Sequence, residues 1–185
     1  MELRKSSFEG LLQKMTCKSI LGRSSSWLVI LLLTQSCSAP TDSKMLSLFY
    51  NNQASFKHLL SMFIKDQDIK HISVTTLSGP KVGIIWVDSS TDWSSAGLTK
   101  DRWKEYQESF SQLKLYGLYK TNDSVSMRSI SGDPVVQKSY IYFANPQHFS
   151  NSPIASNLDV FDFKYGKCAI KKINNNWYLS ICLND

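Results

Sequence analysis

Two cysteines near the C-terminus, Cys168 and Cys182, flank a run of three asparagines, Asn174-Asn175-Asn176, with β-rich stretches on either side. Asparagine tolerates the backbone geometry of tight turns, and such a cluster between two apolar runs reads as a hairpin turn. The arms are 160–173 and 177–183. In an antiparallel hairpin centred on Asn175, partner positions have numbers summing to 350, as those of Cys168 and Cys182 do. Opposed residues on such a ladder bring their Cβ atoms to about 4.5–5.5 Å, near disulfide reach after slight adjustment. The end of the chain is therefore expected to be antiparallel and covalently stapled. A zinc site built on these two thiolates would need two further ligands, and none lies nearby in sequence.

A disulfide calls for an oxidising compartment, and the N-terminal region agrees. Residues 27–33, Trp-Leu-Val-Ile-Leu-Leu-Leu, form an unbroken apolar run, with Arg23 upstream and no charge between Arg23 and Cys37. Seven residues fall far short of the roughly 20 needed to span a bilayer as a helix. A core helix is disfavoured by the flanks, Ser24-Ser25-Ser26 before and the polar, Pro-containing stretch 38–43 after. A positive start, a short apolar middle and small residues before a cut describe a secretory signal peptide. Leu33-Thr34-Gln35-Ser36-Cys37 resembles the lipobox of bacterial lipoproteins. That resemblance implies that Cys37 carries the lipid, palmitate included, and becomes the mature N-terminus. Ser38 in place of Asp implies sorting to the outer membrane, facing the periplasm. Met15 begins a more compact signal and is an alternative start. The expected organisation is a signal over 1–36, a lipidated tether over 37–43 and one globular domain over 44–185.

Removing the signal changes the charge. It holds five of the 21 Lys/Arg and two of the 15 Asp/Glu, so 16 basic and 13 acidic residues remain, a net of +3 instead of +6. Basic residues in the mature part are scattered, with Lys171-Lys172 the one adjacent pair. A nucleic-acid surface calls for clustered Lys/Arg with interleaved aromatics, so no nucleic-acid partner is expected.

The rest of the chain predicts an α+β fold. Apolar residues at Leu46, Phe49, Tyr50, Phe56, Leu59, Leu60 and Phe63 make a helical stripe over 44–64, with Asp42 or Ser43 as N-cap. Trp103, Tyr106, Phe110 and Leu113 mark a second helix over 100–116, capped by Thr99 and followed by Gly117 as a C′ residue. Strand-like runs cover 69–76, 81–88, 118–120, 124–130 and 138–144, broken at Ser78-Gly79-Pro80, at 131–134 and at Asn145-Pro146. Runs of strands with few helices favour a mainly antiparallel sheet with two principal helices packed on one face.

Local catalytic patterns are few. His58, His71 and His148 form no His-x-x-x-His or His-Glu-x-x-His spacing, no Gly-x-Ser-x-Gly elbow occurs, and no metal or cofactor is expected. The carboxylate pairs Asp66/Asp68, Asp88/Asp92 and Asp159/Asp162 read first as solvated or turn-capping groups. The polar loop 88–97 carries Trp93 beside Asp92, a candidate binding anchor, although the indole can equally fold back as a cover. These features favour a non-enzymatic, lipid-anchored envelope protein that binds another envelope protein, with an immunity or inhibitor role against a toxin or hydrolase included. Two alternatives stay open: an envelope hydrolase in which His71 or His148 meets an Asp only in the fold, and a small-ligand binder.

Overall fold

A computed structural model describes residues 39–79, 83–86, 94, 96–130, 135–145, 153–165 and 167–183. Cys37, Asp92, Trp93, Asp88 and His148 lie outside the described residues, as does the apolar run 27–33.

The first helical stripe divides into two helices, α1 (Asp42–Asn51) and α2 (Gln53–Lys65). Thr41 caps α1 by accepting from the Lys44 N–H, so the helix starts two residues inside the stretch read as tether. The interruption is at Asn52, whose side-chain amide donates to the Leu48 carbonyl at 2.9 Å. Asparagine competes in this way with the helical ladder and favours its ends. Both halves bury one face: Met45, Phe49, Phe56, Leu59 and Phe63 are at most 2% exposed. Burial of each such large side chain contributes roughly 1.5–3 kcal/mol. Tyr50, by contrast, stands 55% exposed and donates its hydroxyl to the Ile173 carbonyl.

The second predicted helix, α3 (Lys100–Leu113), begins at the expected Thr99 cap but ends earlier. Lys114 itself takes the left-handed conformation (φ 54°) that closes the helix, and a strand starts at once. Gly117 is therefore no C′ residue; it sits within that strand. A Cβ there would stand 2.8 Å from the Ile72 carbonyl oxygen, so the glycine permits two strands to approach closely.

Among the described residues, eight strands form one antiparallel sheet: β1 (His71–Ser73), β2 (Thr76–Gly79), β3 (Gly83–Trp86), β4 (Leu115–Lys120), β5 (Ser124–Ser129), β6 (Val136–Phe143), β7 (Cys168–Lys172) and β8 (Trp177–Leu183). Their order is β3-β2-β1-β4-β5-β6-β8-β7. The run 69–76 is broken by a turn in which the Ser73 hydroxyl accepts from the Thr76 and Thr75 N–H groups. Strand β2 in turn occupies the expected turn at Ser78-Gly79. The hairpin has the register read from the sequence: Cys168 faces Cys182 with Cα atoms 4.1 Å apart, and the disulfide is formed.

Ladder partners explain the core. Ile72, Leu118, Met127, Tyr140 and Leu179 are successive neighbours across β1, β4, β5, β6 and β8, and none is more than 1% exposed. The helices cover this face of the sheet. Phe56 and Phe49 pack on the Tyr140 ring at 4.6 and 6.1 Å, and Phe49 lies 5.2 Å from Trp177. The domain is thus α+β with its helices on one face, three of them where two principal ones were expected.

Candidate functional site

The core face of the sheet carries one residue that its pattern does not lead one to expect. Lys138 is in phase with Tyr140 and Tyr142 on β6, and it points into the helix layer with its side chain 3% exposed. An ammonium there is costly unless it is paired. Two carboxylates pair with it: Asp42, the first residue of α1, at 2.9 Å, and Asp159. The Asp42 carboxylate accepts two further contacts, from the Leu158 N–H at 2.9 Å and from Lys171 of β7 at 3.1 Å, and the Asp42 backbone N–H donates to Asp159 at 2.9 Å. Burial opposes ionisation of Asp42, but the Leu158 N–H, Lys138 and Lys171 more than offset it and hold its carboxyl below the usual range.

The result is a closed ionic clasp. It fastens the first residue of α1 to β6, to β7 of the stapled hairpin and to the 157–159 turn. Asp159, expected as a solvated or turn-capping group, and Lys171, one of the adjacent basic pair Lys171-Lys172, are both structural here. The other member of the pair, Asp162, is exposed and bonded to Lys164 at 2.7 Å.

A second polar knot joins α2 to α3. The Asp66 carboxylate accepts from the Tyr106 hydroxyl at 2.6 Å and from Arg102 at 3.1 Å. Burial, and then Asp66, drive the Tyr106 phenol well above its ordinary range. Lys120 of β4 donates to the carbonyls of Phe63 and Asp66 at 2.9 and 3.2 Å and lies 4.7 Å over the Phe63 ring, closing the end of α2. A shallow cleft of about 240 Å³ beside it is lined by Lys65, Asp66, Gln67, Asp68, Ile69 and Gly97.

The histidines do not join either cluster. His58 is exposed on α2. His71 packs edge-on to Tyr119 at 6.4 Å, and its buried Nε2 has no hydrogen-bond partner. Burial, and then the charge of Arg128, lower its pKa, which keeps the ring neutral near pH 7. The hydrolase reading asks for a carboxylate at His71; among the described residues none hydrogen-bonds to it. No three His, Cys, Asp or Glu side chains converge as a metal would require, again among the described residues. Nor, among them, is any helix long and apolar enough to cross a membrane.

Sequence reasoning missed the clasp because its members lie up to 129 residues apart. One signal was present: a lysine in the same phase as Val136, Tyr140 and Tyr142, the apolar and aromatic positions of β6. Comparison with protein-family models, with curated proteins and with solved structures gave no match to this chain.

Proposed function

We propose that this is a lipid-anchored protein of the bacterial envelope, non-enzymatic, whose α+β domain binds another envelope protein. An immunity or inhibitor protein directed at a toxin or hydrolase is one form of that role. The observation that carries it is the apolar run 27–33 followed by the lipobox-like Leu33-Thr34-Gln35-Ser36-Cys37, whose cysteine lies four positions ahead of the helix cap at Thr41. The Cys168–Cys182 disulfide supports export, because cytosolic thiols are kept reduced.

Metabolic labelling with a palmitate analogue tests the proposal. The wild-type protein takes up label and partitions with membranes, whereas Cys37→Ala takes up none and accumulates as precursor or soluble protein. Equal labelling of the two overturns the lipid assignment. For the partner, in-cell photocrosslinking of the anchored protein is expected to give a discrete adduct with one envelope protein; no adduct beyond those of an unrelated anchored domain overturns the partner reading.

A further inference from the structure

No aspartate or glutamate occurs in any of the eight strands, whereas five basic residues do: Lys120, Arg128, Lys138, Lys171 and Lys172. Lys138 and Lys171 turn to Asp42, and Lys120 closes the end of α2. Side chains alternate along a strand, so Arg128 and Lys172 fall on the opposite face of the sheet, away from α1, α2 and α3. Its ladder positions are therefore cationic and carry no carboxylate. Arg128 also differs from Arg102, the other arginine of the described residues. Arg102 is held by Asp66 at 3.1 Å and by Glu105 at 2.9 Å. Arg128 is exposed, and among the described residues no carboxylate pairs with it.

The strands around Arg128 give it defined neighbours. A register shift between Leu115 and Gly117 puts Tyr116 and Gly117 together against Arg128. Gly117 faces Ser73 on its other side, so this row has a gap where any other residue would place a side chain. Tyr116 is 44% exposed and Tyr119, two positions beyond Gly117, is 45% exposed. Val74, 40% exposed, donates its N–H to the Tyr116 carbonyl at 3.0 Å. His71, edge-on to Tyr119, is held neutral first by burial and then by Arg128, so the guanidinium acts across this row. Bulges of this kind recur beside functional sites. Tyrosine and arginine are over-represented among the residues that dominate protein–protein binding.

We infer that this face, centred on Arg128, is where the domain takes its protein partner, and that the partner presents an Asp or Glu side chain to the guanidinium beside Tyr116 and Tyr119. The occupant follows from charge. An exposed guanidinium on a face with no anion of its own is complemented by a carboxylate, which it can bind through two parallel hydrogen bonds. A second copy of the chain is a poor occupant, because an isologous contact would set this acid-free face against itself. The inference rests on the partner reading and adds to it the face used and the chemistry recognised.

The test uses the full-length protein in cells, with a benzophenone amino acid at position 116 or 119. Controls carry it on the helix layer, at the exposed positions 57 of α2 or 104 of α3. Positions 116 and 119 are expected to give the partner adduct and the controls none. Arg128→Gln and Arg128→Glu should each lower its yield about ten-fold, while Tm stays within about 2 °C because the side chain is exposed. Arg128→Lys supplies a primary amine. A water-soluble carbodiimide is then expected to join position 128 to an acidic side chain of the partner, a product the wild-type guanidinium does not form. Adducts from the controls but not from 116 or 119 overturn this inference and leave the partner reading standing. No adduct from any position overturns both. An adduct unaffected by Arg128→Glu, with no carbodiimide product, overturns the carboxylate assignment. Products with a second copy of the chain, or with lipid alone, overturn the inference in favour of those occupants.

Discussion

Asp42→Asn keeps the shape of the clasp and removes its central charge. In the native domain the carboxylate, 5% exposed, receives Lys138 at 2.9 Å, Lys171 at 3.1 Å and the Leu158 N–H at 2.9 Å. An amide oxygen in the Oδ2 position can still accept from Leu158 and Lys171, but the NH₂ group then faces the Lys138 ammonium. Lys138 keeps Asp159, whose side chain is 31% exposed, so part of its charge remains balanced. Removing one partner of a buried pair costs about 3–5 kcal/mol when the other is stranded. With Asp159 retained, about 3 kcal/mol is expected. For a chain of this size that corresponds to a fall in Tm of about 6–12 °C. Urea denaturation at about pH 7 should show a lower midpoint at an unchanged slope. The sign of the pH dependence follows from the depressed carboxyl. Its folded pKa lies below the ordinary 3.8, so its contribution is complete above that value and is lost as pH falls through the folded pKa. The gap between wild type and variant should therefore narrow as pH falls below 3.8 and through the lower, folded pKa. A gap under about 1 kcal/mol at neutral pH, or one that persists unchanged in acid, refutes the clasp as a stabilising, ionised unit.

Three further outcomes are expected. Replacing both Cys168 and Cys182 by Ser, which opens a link of 14 residues' separation, should cost about 3 kcal/mol in reversible denaturation, and a loss under about 1 would mean the hairpin holds its register without the bond. Gly117→Ala should cost about 1–3 kcal/mol, because its Cβ would meet the backbone oxygen of Ile72, which can move only with β1; an unchanged denaturation midpoint would count against that close approach. Lys120→Met should raise amide exchange in the last turn of α2 while losing about 1 kcal/mol of global stability, since the Phe63 and Asp66 carbonyls lose their donor; unaltered exchange there would exclude the capping role.

The features legible in the sequence are those settled by neighbours. The hairpin register followed from a turn and two cysteines 14 residues apart, and α3 from its stripe and its Thr99 cap. The α+β class followed from the order of strands and helices. Local competition explains most of the errors. Asn52 splits the first helix through a bond to its own Leu48 carbonyl, and Ser73 breaks the first strand through bonds to Thr75 and Thr76. Lys114 closes α3 in a conformation that the pattern assigned to a glycine. In each case periodicity placed the element, and a single side chain or backbone angle moved its edge.

Long-range polar pairing is a different problem. Lys138 reaches Asp42 across 96 residues and Lys171 reaches it across 129, and neither spacing leaves a mark in composition or periodicity. The phase of Lys138 does leave one. A strand reading Lys-Ser-Tyr-Ile-Tyr-Phe puts Lys138, Tyr140 and Tyr142 on one face, and two of these are aromatics suited to a core. A lysine on that face must find a buried anion, because the alternative is a desolvation cost of several kcal/mol. Such an anion has to sit where the sheet meets the helix layer, and a helix beginning with an aspartate supplies it. The same pairing ties the start of α1 to the sheet: as the first residue of that helix, Asp42 sets its carboxylate against the charge buried on β6.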